Sequence, residues 1–451
     1  PLPVQTYYSL QNHLPGLYKL GLGGPPPDSP AGTTPAVQQL KAYLSLFDQV
    51  LANMGAQRDH LRDLFTADVD AERSYWRDVL TDQAVPGLQA LMDSRSPQQI
   101  EQQVFARFDD ALERRGRVLD YLLALYGETL SQNTSRQFLD YLDSAEQAQL
   151  LFENKATFLK EIVALTRDRA SGFDYAETLW GRPQRTPPFQ QRLCLLLGFK
   201  YTDARRLADP TAIDAPGHAW RWTSDEEADL HPAAAAGVPL QWPDRRELPV
   251  DDAQASELLK PSRLPLGLLL QSGLDRRRYQ WRSGNGAAGR LALVRPEDGR
   301  WLDLGEFQNQ GDATRLADWL RRRSLGFNDA CEGVHVVEHI LLRPRSAPVV
   351  RDWHSLQLTF VFPNWTARTA RAEFRNFAEE TIRINCPAHL APRCIWLSRP
   401  AMRDFERTFG HWMAVMRELC AGRAAEASLD EAASRLMQHL GLVAEPGDAD
   451  A

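Results

Sequence analysis

At 451 residues, 43% hydrophobic and 25% charged, the chain has ordinary globular composition and is too long for a single core, so about two to four domains are expected. Its net charge of −7 gives no attraction for a polyanion. The runs Arg276-Arg277-Arg278 and Arg321-Arg322-Arg323 are short enough to be solvated faces, so no nucleic-acid partner is expected. No stretch approaches the ~20 apolar residues of a membrane helix, which excludes insertion of that kind. No signal peptide is read at the amino end, and five sparse cysteines fit a reducing compartment better than a disulfide framework.

Residues 1–33 read as an arm. Gly21, Gly23, Gly24 and Pro25-Pro26-Pro27 forbid regular structure there. Residues 34–200 read as an α-helical domain, a bundle. Thr34 and Pro35 open its first helix, and Leu40, Leu44, Phe47, Leu51 and Met54 form one apolar stripe, taken as core, with Asp48, Gln49 and Arg58 off it. A second helix starts at Pro97, carries Val104, Phe105, Phe108, Leu112, Leu119 and Leu122, and stops at Gly127. Ser144-x-x-Gln147 reads as a capping box. Pro187-Pro188 opens a short helix that ends at Gly198.

Residues 201–262 are broken by prolines but hold Trp220, Trp222 and Trp242. Tryptophans in irregular chain usually pin it to a neighbour, so this is expected to be an ordered connector. Residues 263–330 read as a small β-meander closed by a helix. Its strands are expected at 266–271, 278–282, 290–294 and 300–304, and its helix is capped by Asp312 and carries Leu316, Trp319 and Leu320. Residues 331–451 read as a C-terminal α+β module. In it Leu356–Phe362 is a half-buried strand, Thr366 caps a helix, Cys394–Leu397 is a strand, and Pro400 opens a helix bearing Met402, Phe405, Phe409, Trp412 and Met416. A last helix spans about 429–440, the tail from Pro446 is disordered, and the helices lie on one face of a small sheet. The fold class is thus multidomain α+β.

One stretch carries candidate chemistry. His335-x-x-Glu338-His339 on a helix would place two histidines on one face around a zinc ion, with Glu338 as general base. A third ligand would come from Glu406 or Glu418 on a later helix. Val334, Val336, Val337 and Ile340 are β-branched and Pro344 closes the run, so a strand over 334–342 is the favoured reading. On a strand His335 and His339 share one face and Glu338 turns to the other. Cys386-x-x-His389 with Cys394 offers three soft ligands and lacks a fourth. No nucleophile elbow or phosphate loop is present. No catalytic residue, metal or cofactor is therefore assigned.

Several stretches together resemble a family of structural proteins encoded beside phage-tail-like contractile injection particles in bacteria. They are Tyr7–Gln11, Gln39–Leu44 with Phe47–Asn53, Glu338–Pro344, Pro387-Ala388-His389 and Phe405-Glu406. The resemblance implies a non-enzymatic component near the baseplate or tail, with no active site. Its partners would be baseplate, tube or sheath proteins, in a symmetric multi-copy assembly. It would sit in the bacterial cytoplasm during assembly and in the particle afterwards. The alternatives are a zinc-dependent hydrolase using His335, Glu338 and His339, and a stand-alone protein-binding module.

Overall fold

The computed structural model describes residues 7–20, 28, 30, 33–66, 73–88, 91, 108–130, 136–172, 186–209, 221–223, 229–233, 237–242, 254–255, 258–260, 263–283, 288–346 and 354–442. The chain is mixed α+β, with a helical N-terminal region and a C-terminal α+β region holding several sheets. It divides into two compact units, one of residues 1–129 and 151–159, the other of 130–150 and 160–451.

In the first unit the longest element is helix α1 (Thr33–Asp59). Its sequence stripe does not become core. Lys41, Asp48 and Ala52 are the buried residues, while Phe47, Leu51 and Met54 are exposed. The polar side faces inward because it finds partners there. Lys41 Nζ donates to the Pro86 carbonyl at 2.6 Å, Gln49 Nε2 to Asp78 at 2.7 Å and Gln57 Nε2 to Trp76 at 2.7 Å. These bonds satisfy carbonyls of a segment without regular structure, whose Leu80, Val85 and Leu88 pack with Ala52. Helix α2 (Ala111–Leu125) begins where the Asp110 side chain accepts the Glu113 N–H, and ends before Gly127 at φ 71°. Glycine takes that left-handed conformation without a Cβ clash. The expected start at Pro97, with Val104 and Phe105, lies outside the described residues. Helix α3 (Ser144–Lys160) gives residues 151–159 to this unit. There Phe152 and Ala156 pack with Leu119, and the buried Lys155 donates to Gly116 O and to Asp120.

In the second unit the capping box of α3 forms one residue earlier than expected. The Asp143 carboxylate accepts the Glu146 N–H at 2.8 Å, and the Glu146 carboxylate accepts the Asp143 N–H at 3.0 Å. Glu146 also holds Arg321 through two 2.7 Å bonds. Helix α4 (Pro188–Leu196) follows its proline pair as expected. Strands β1 (Arg221–Thr223) and β4 (Arg263–Pro265) pair in parallel. A five-stranded antiparallel sheet runs in the order β2 (Leu230–His231), β7 (Trp301–Phe307), β6 (Gly289–Val294), β5 (Tyr279–Ser283), β3 (Val238–Pro239). Three strands of the predicted meander are present; the fourth is not. Leu266–Leu268 is α-helical and Leu269–Gly273 is a π-turn. Leu264 and Leu268 enter one core, and Leu266 and Leu270 another. A segment apolar on all sides carries no periodicity to separate strand from helix. The sheet's edge strands come from the proline-broken connector, where Trp242 packs edge-on against Tyr279 at 5.5 Å. Helix α5 (Gln310–Cys331) covers the sheet with Leu316, Trp319 and Leu320, capped by Asn309 instead of Asp312. Asn309 accepts the Asp312 N–H at 2.9 Å.

The last sheet has the order β10 (Ala391–Leu397), β9 (Gln357–Pro363), β8 (His335–Glu338), with β10 parallel and β8 antiparallel to β9. The helices lie on both faces of this sheet, not one. Phe360 and Phe362 pack with α4 and with α6 (Ala372–Asn385) through Leu193, Phe374 and Ile382. Val337 and Val361 pack on the opposite face against α7 (Arg399–Cys420) and α8 (Glu426–His439), through Phe405, Phe409, Trp412 and Leu436. Strand β9 is therefore buried on both sides along most of its length, as a central strand covered by two layers must be. Thr366 does not cap α6, whose N-cap is Arg371; its hydroxyl donates to Glu332 instead.

Candidate functional site

The stretch that holds His335, Glu338 and His339 begins as a strand, as its β-branched residues dictate. Strand β8 covers only His335–Glu338, however, and His339–Leu342 is a 3-10 turn. His335 and Val337 point to the α7 side, and Val336 packs with the aromatic cluster on the other. Alternation sends Glu338 to that other side. His339 has left the strand, but its Nε2 lies 2.7 Å from Thr359 Oγ1, whose residue pairs with Val337 and shares its face. Burial pushes His339 down to about 4, with His354 and Arg393 nearby adding to the shift.

Glu406, one of the two suggested third ligands, does meet His335. The two are buried side by side, His335 Nε2 to Glu406 Oε1 at 3.1 Å. A carboxylate accepts, so the imidazole Nε2–H donates. The same carboxylate accepts the Leu207 and Ala208 backbone N–H groups, Ala208 at 3.4 Å. Rings of Phe405 and Phe409 flank the histidine at 5.5 and 6.3 Å. Arg399 then donates to Ala208 O at 2.9 Å, and Arg399 and Arg403 both grip Asp209. The Arg403 guanidinium holds Asp209 below the usual carboxylate range, with Arg399 adding to it. Residues 207–209 thus form a strap across α7. The Leu207 side chain packs closely on Gly333, where a Cβ would come within 2.9 Å of Leu207 Cδ2. Glu418 lies twelve residues further along α7, about 18 Å at helical rise, where it pairs with Arg423.

The histidines, Glu338 and the later glutamates therefore do not converge. Among the described residues no three of His, Cys, Asp and Glu come together as a ligand set, and Cys386, His389 and Cys394 form none. The Glu406 carboxylate is spent on backbone N–H groups and on His335, the arrangement that satisfies a buried acid structurally.

The first unit holds a second carboxylate of this kind, off the apolar stripe of α1. Asp48 is fully buried. Its Oδ1 accepts Tyr7 Oη–H and the Leu10 N–H, both at 2.7 Å, and its Oδ2 accepts Ser9 Oγ–H and Gln11 Nε2–H, both at 2.9 Å. Ser9 Oγ in turn accepts the Gln11 N–H and caps the 3-10 turn Leu10–His13. Four donors on two oxygens leave the acid well satisfied without a cation. Burial and the neighbouring Asp48 push the Tyr7 phenol up to about 12. The signal for this node was in the sequence. Between Ala42 and Gln57, Asp48 is the one charged residue, and the Tyr7–Gln11 stretch is rich in donors.

A third buried acid, Glu332, faces Arg368 through a two-pronged contact, Nε to Oε1 at 3.0 Å. Arg368 also donates to Gly198 O at 2.9 Å, tying the end of α4 to that of α5. Burial and Glu332 raise the adjacent Asp329 to about 6.

No protein-family model matches the chain, and no curated protein matches it.

Proposed function

We propose that this chain is a non-enzymatic structural or assembly component of a phage-tail-like contractile particle, working through protein–protein contacts. The observation that carries the reading is the outward apolar face of α1. The Gln39–Leu44 and Phe47–Asn53 stretches of the resemblance, with Leu46 between them, keep Tyr43, Leu46, Phe47, Val50 and Leu51 exposed. A soluble chain seldom leaves such a face uncovered unless a partner covers it. Two further features support the reading. The stretches behind the resemblance meet in pairs within each unit: Tyr7–Gln11 on Asp48, and Leu341 and Leu342 in one core with Phe405. The most concentrated polar groups, at Asp48, Glu406 and Glu332, are engaged in holding the chain together. No described helix is long and apolar enough to cross a membrane.

The test is purification of the tagged full chain from producing cells, with identification of what accompanies it. Baseplate, tube or sheath proteins in fixed proportion are expected. Stoichiometric zinc that is lost on His339→Ala would overturn the proposal in favour of a hydrolase. Recovery without any particle protein would favour a stand-alone binding module.

A further inference from the structure

The exposed face of α1 also has a spacing. Leu40, Tyr43, Phe47, Val50 and Met54 follow one another at three, four, three and four residues, the a/d rhythm of a helix that pairs with another helix. Leu46 and Leu51 flank this seam. The short turns Leu10–His13 and Leu61–Leu64 are the described elements that pack most closely on α1, and the Asp48 side of the helix receives the first of them. The seam itself is open: Tyr43, Leu46, Phe47, Val50, Leu51 and Met54 are between 42% and 65% exposed.

We infer that this seam is a dimerisation surface, occupied by α1 of a second copy of this chain. Charge and area select that occupant. From Ala42 to Gln57 the lone charge is Asp48, and it is buried on the far side. Two identical faces therefore meet without like-charge repulsion, which a charged seam would not allow. At roughly 200 Å² for a fully exposed large side chain, the six residues leave about 650 Å² of apolar surface in water. Two copies face to face bury about 1,300 Å², within the roughly 1,200–2,000 Å² of stable, specific interfaces. The contact is isologous about a two-fold axis, with Phe47 near its middle. Tyr43 and Phe47, already in edge contact at 5.3 Å, supply the large rings that anchor such interfaces.

The inference rests on α1 being a contact surface and not on the particle. The experiment is sedimentation equilibrium of the purified full chain from about 0.1 to 50 μM, for the parent, Phe47→Asp, Val50→Asp and, as control, Ile384→Asp. Ile384 is exposed on α6, an element of the other unit. Circular dichroism checks that each variant keeps the parent's helix content, as expected for exposed sites. A dimer of the parent and of Ile384→Asp, weakened at least 100-fold by either α1 substitution, supports the inference. A monomeric parent at 50 μM, or a dimer indifferent to both α1 substitutions, overturns it. A monomeric parent whose recovery with particle proteins is abolished by Phe47→Asp overturns the second copy while leaving the particle reading standing. An α1-dependent dimer that brings down no particle protein supports the second copy and removes the particle.

Discussion

Helices α1 and α7 are built from similar materials and used in opposite ways. Each is amphipathic, and each buries one carboxylate that holds a distant piece of chain, Tyr7–Gln11 on Asp48 and residues 207–208 with His335 on Glu406. Helix α7 buries Met402, Phe405, Phe409, Trp412, Met413 and Met416, each contributing roughly 1.5–3 kcal/mol by leaving water. Helix α1 buries Lys41, Asp48 and Ala52 and turns its large apolar side chains outward. Hydrophobic burial holds α7 in place. Directional polar bonds hold α1, and its apolar face stays available. An apolar stripe therefore says that a helix has a partner, without saying that the partner lies in the same chain.

The largest test of that contrast is a pair of truncations. Trp412→Ala empties a site that is 1% exposed and is expected to destabilise the second unit by roughly 3–5 kcal/mol. Phe47→Ala, at the same kind of residue on α1, should leave monomer stability within about 0.5 kcal/mol. Urea unfolding under dilute conditions measures both, and equal losses would erase the distinction between the helices.

Removing the carboxylates comes next. Asp48→Ala strands four donors and should cost about 2–3 kcal/mol, releasing the arm to limited proteolysis near Tyr7–Gln11 while α7 stays protected. Glu406→Ala takes away the acceptor shared by the Leu207 and Ala208 N–H groups and His335 Nε2–H, a loss of similar size. Its proteolytic opening should fall at 203–209 instead. Cleavage at the arm in both variants would contradict two separate nodes.

The smallest effects are in pH, and the two units respond at opposite ends. Tyr7 titrates at about 12 when folded, against an ordinary 10.0. The folded state holds that proton longer, so its share of stability is full below pH 10 and is lost as pH rises toward 12. Tyr7→Phe should remove a late step from the tyrosinate absorbance titration. His339 titrates at about 4 when folded, against 6.5. Its share is present above 6.5 and is lost as pH falls toward 4, because the unfolded chain takes the proton first. Asp329, raised to about 6, changes stability in the reverse direction over overlapping pH. Comparing parent with His339→Gln isolates the histidine, and a stability profile unchanged between pH 4 and 6.5 would sink this assignment.

Residue chemistry by itself determined the local architecture. The β-branched run at Val336-Val337 made a strand, Pro400 opened α7, and Gly127 and Gly198 stopped helices through positive φ. The Met402–Met416 stripe made a core helix, and Trp242 pinned the connector to the sheet. These outcomes depend on neighbours along the chain and on side-chain shape. Tertiary structure decided the rest. It turned the α1 stripe outward, because Lys41, Gln49, Asp48 and Gln57 found backbone and arm partners on the other side. It made Leu266–Gly273 helical, since leucines that enter two different cores leave no single period to declare. It ended β8 at Glu338 and placed helices on both faces of its sheet. Which surface a helix buries, and which donors reach a buried acid, depends on contacts between residues tens to hundreds of positions apart, and local propensity carries no term for them.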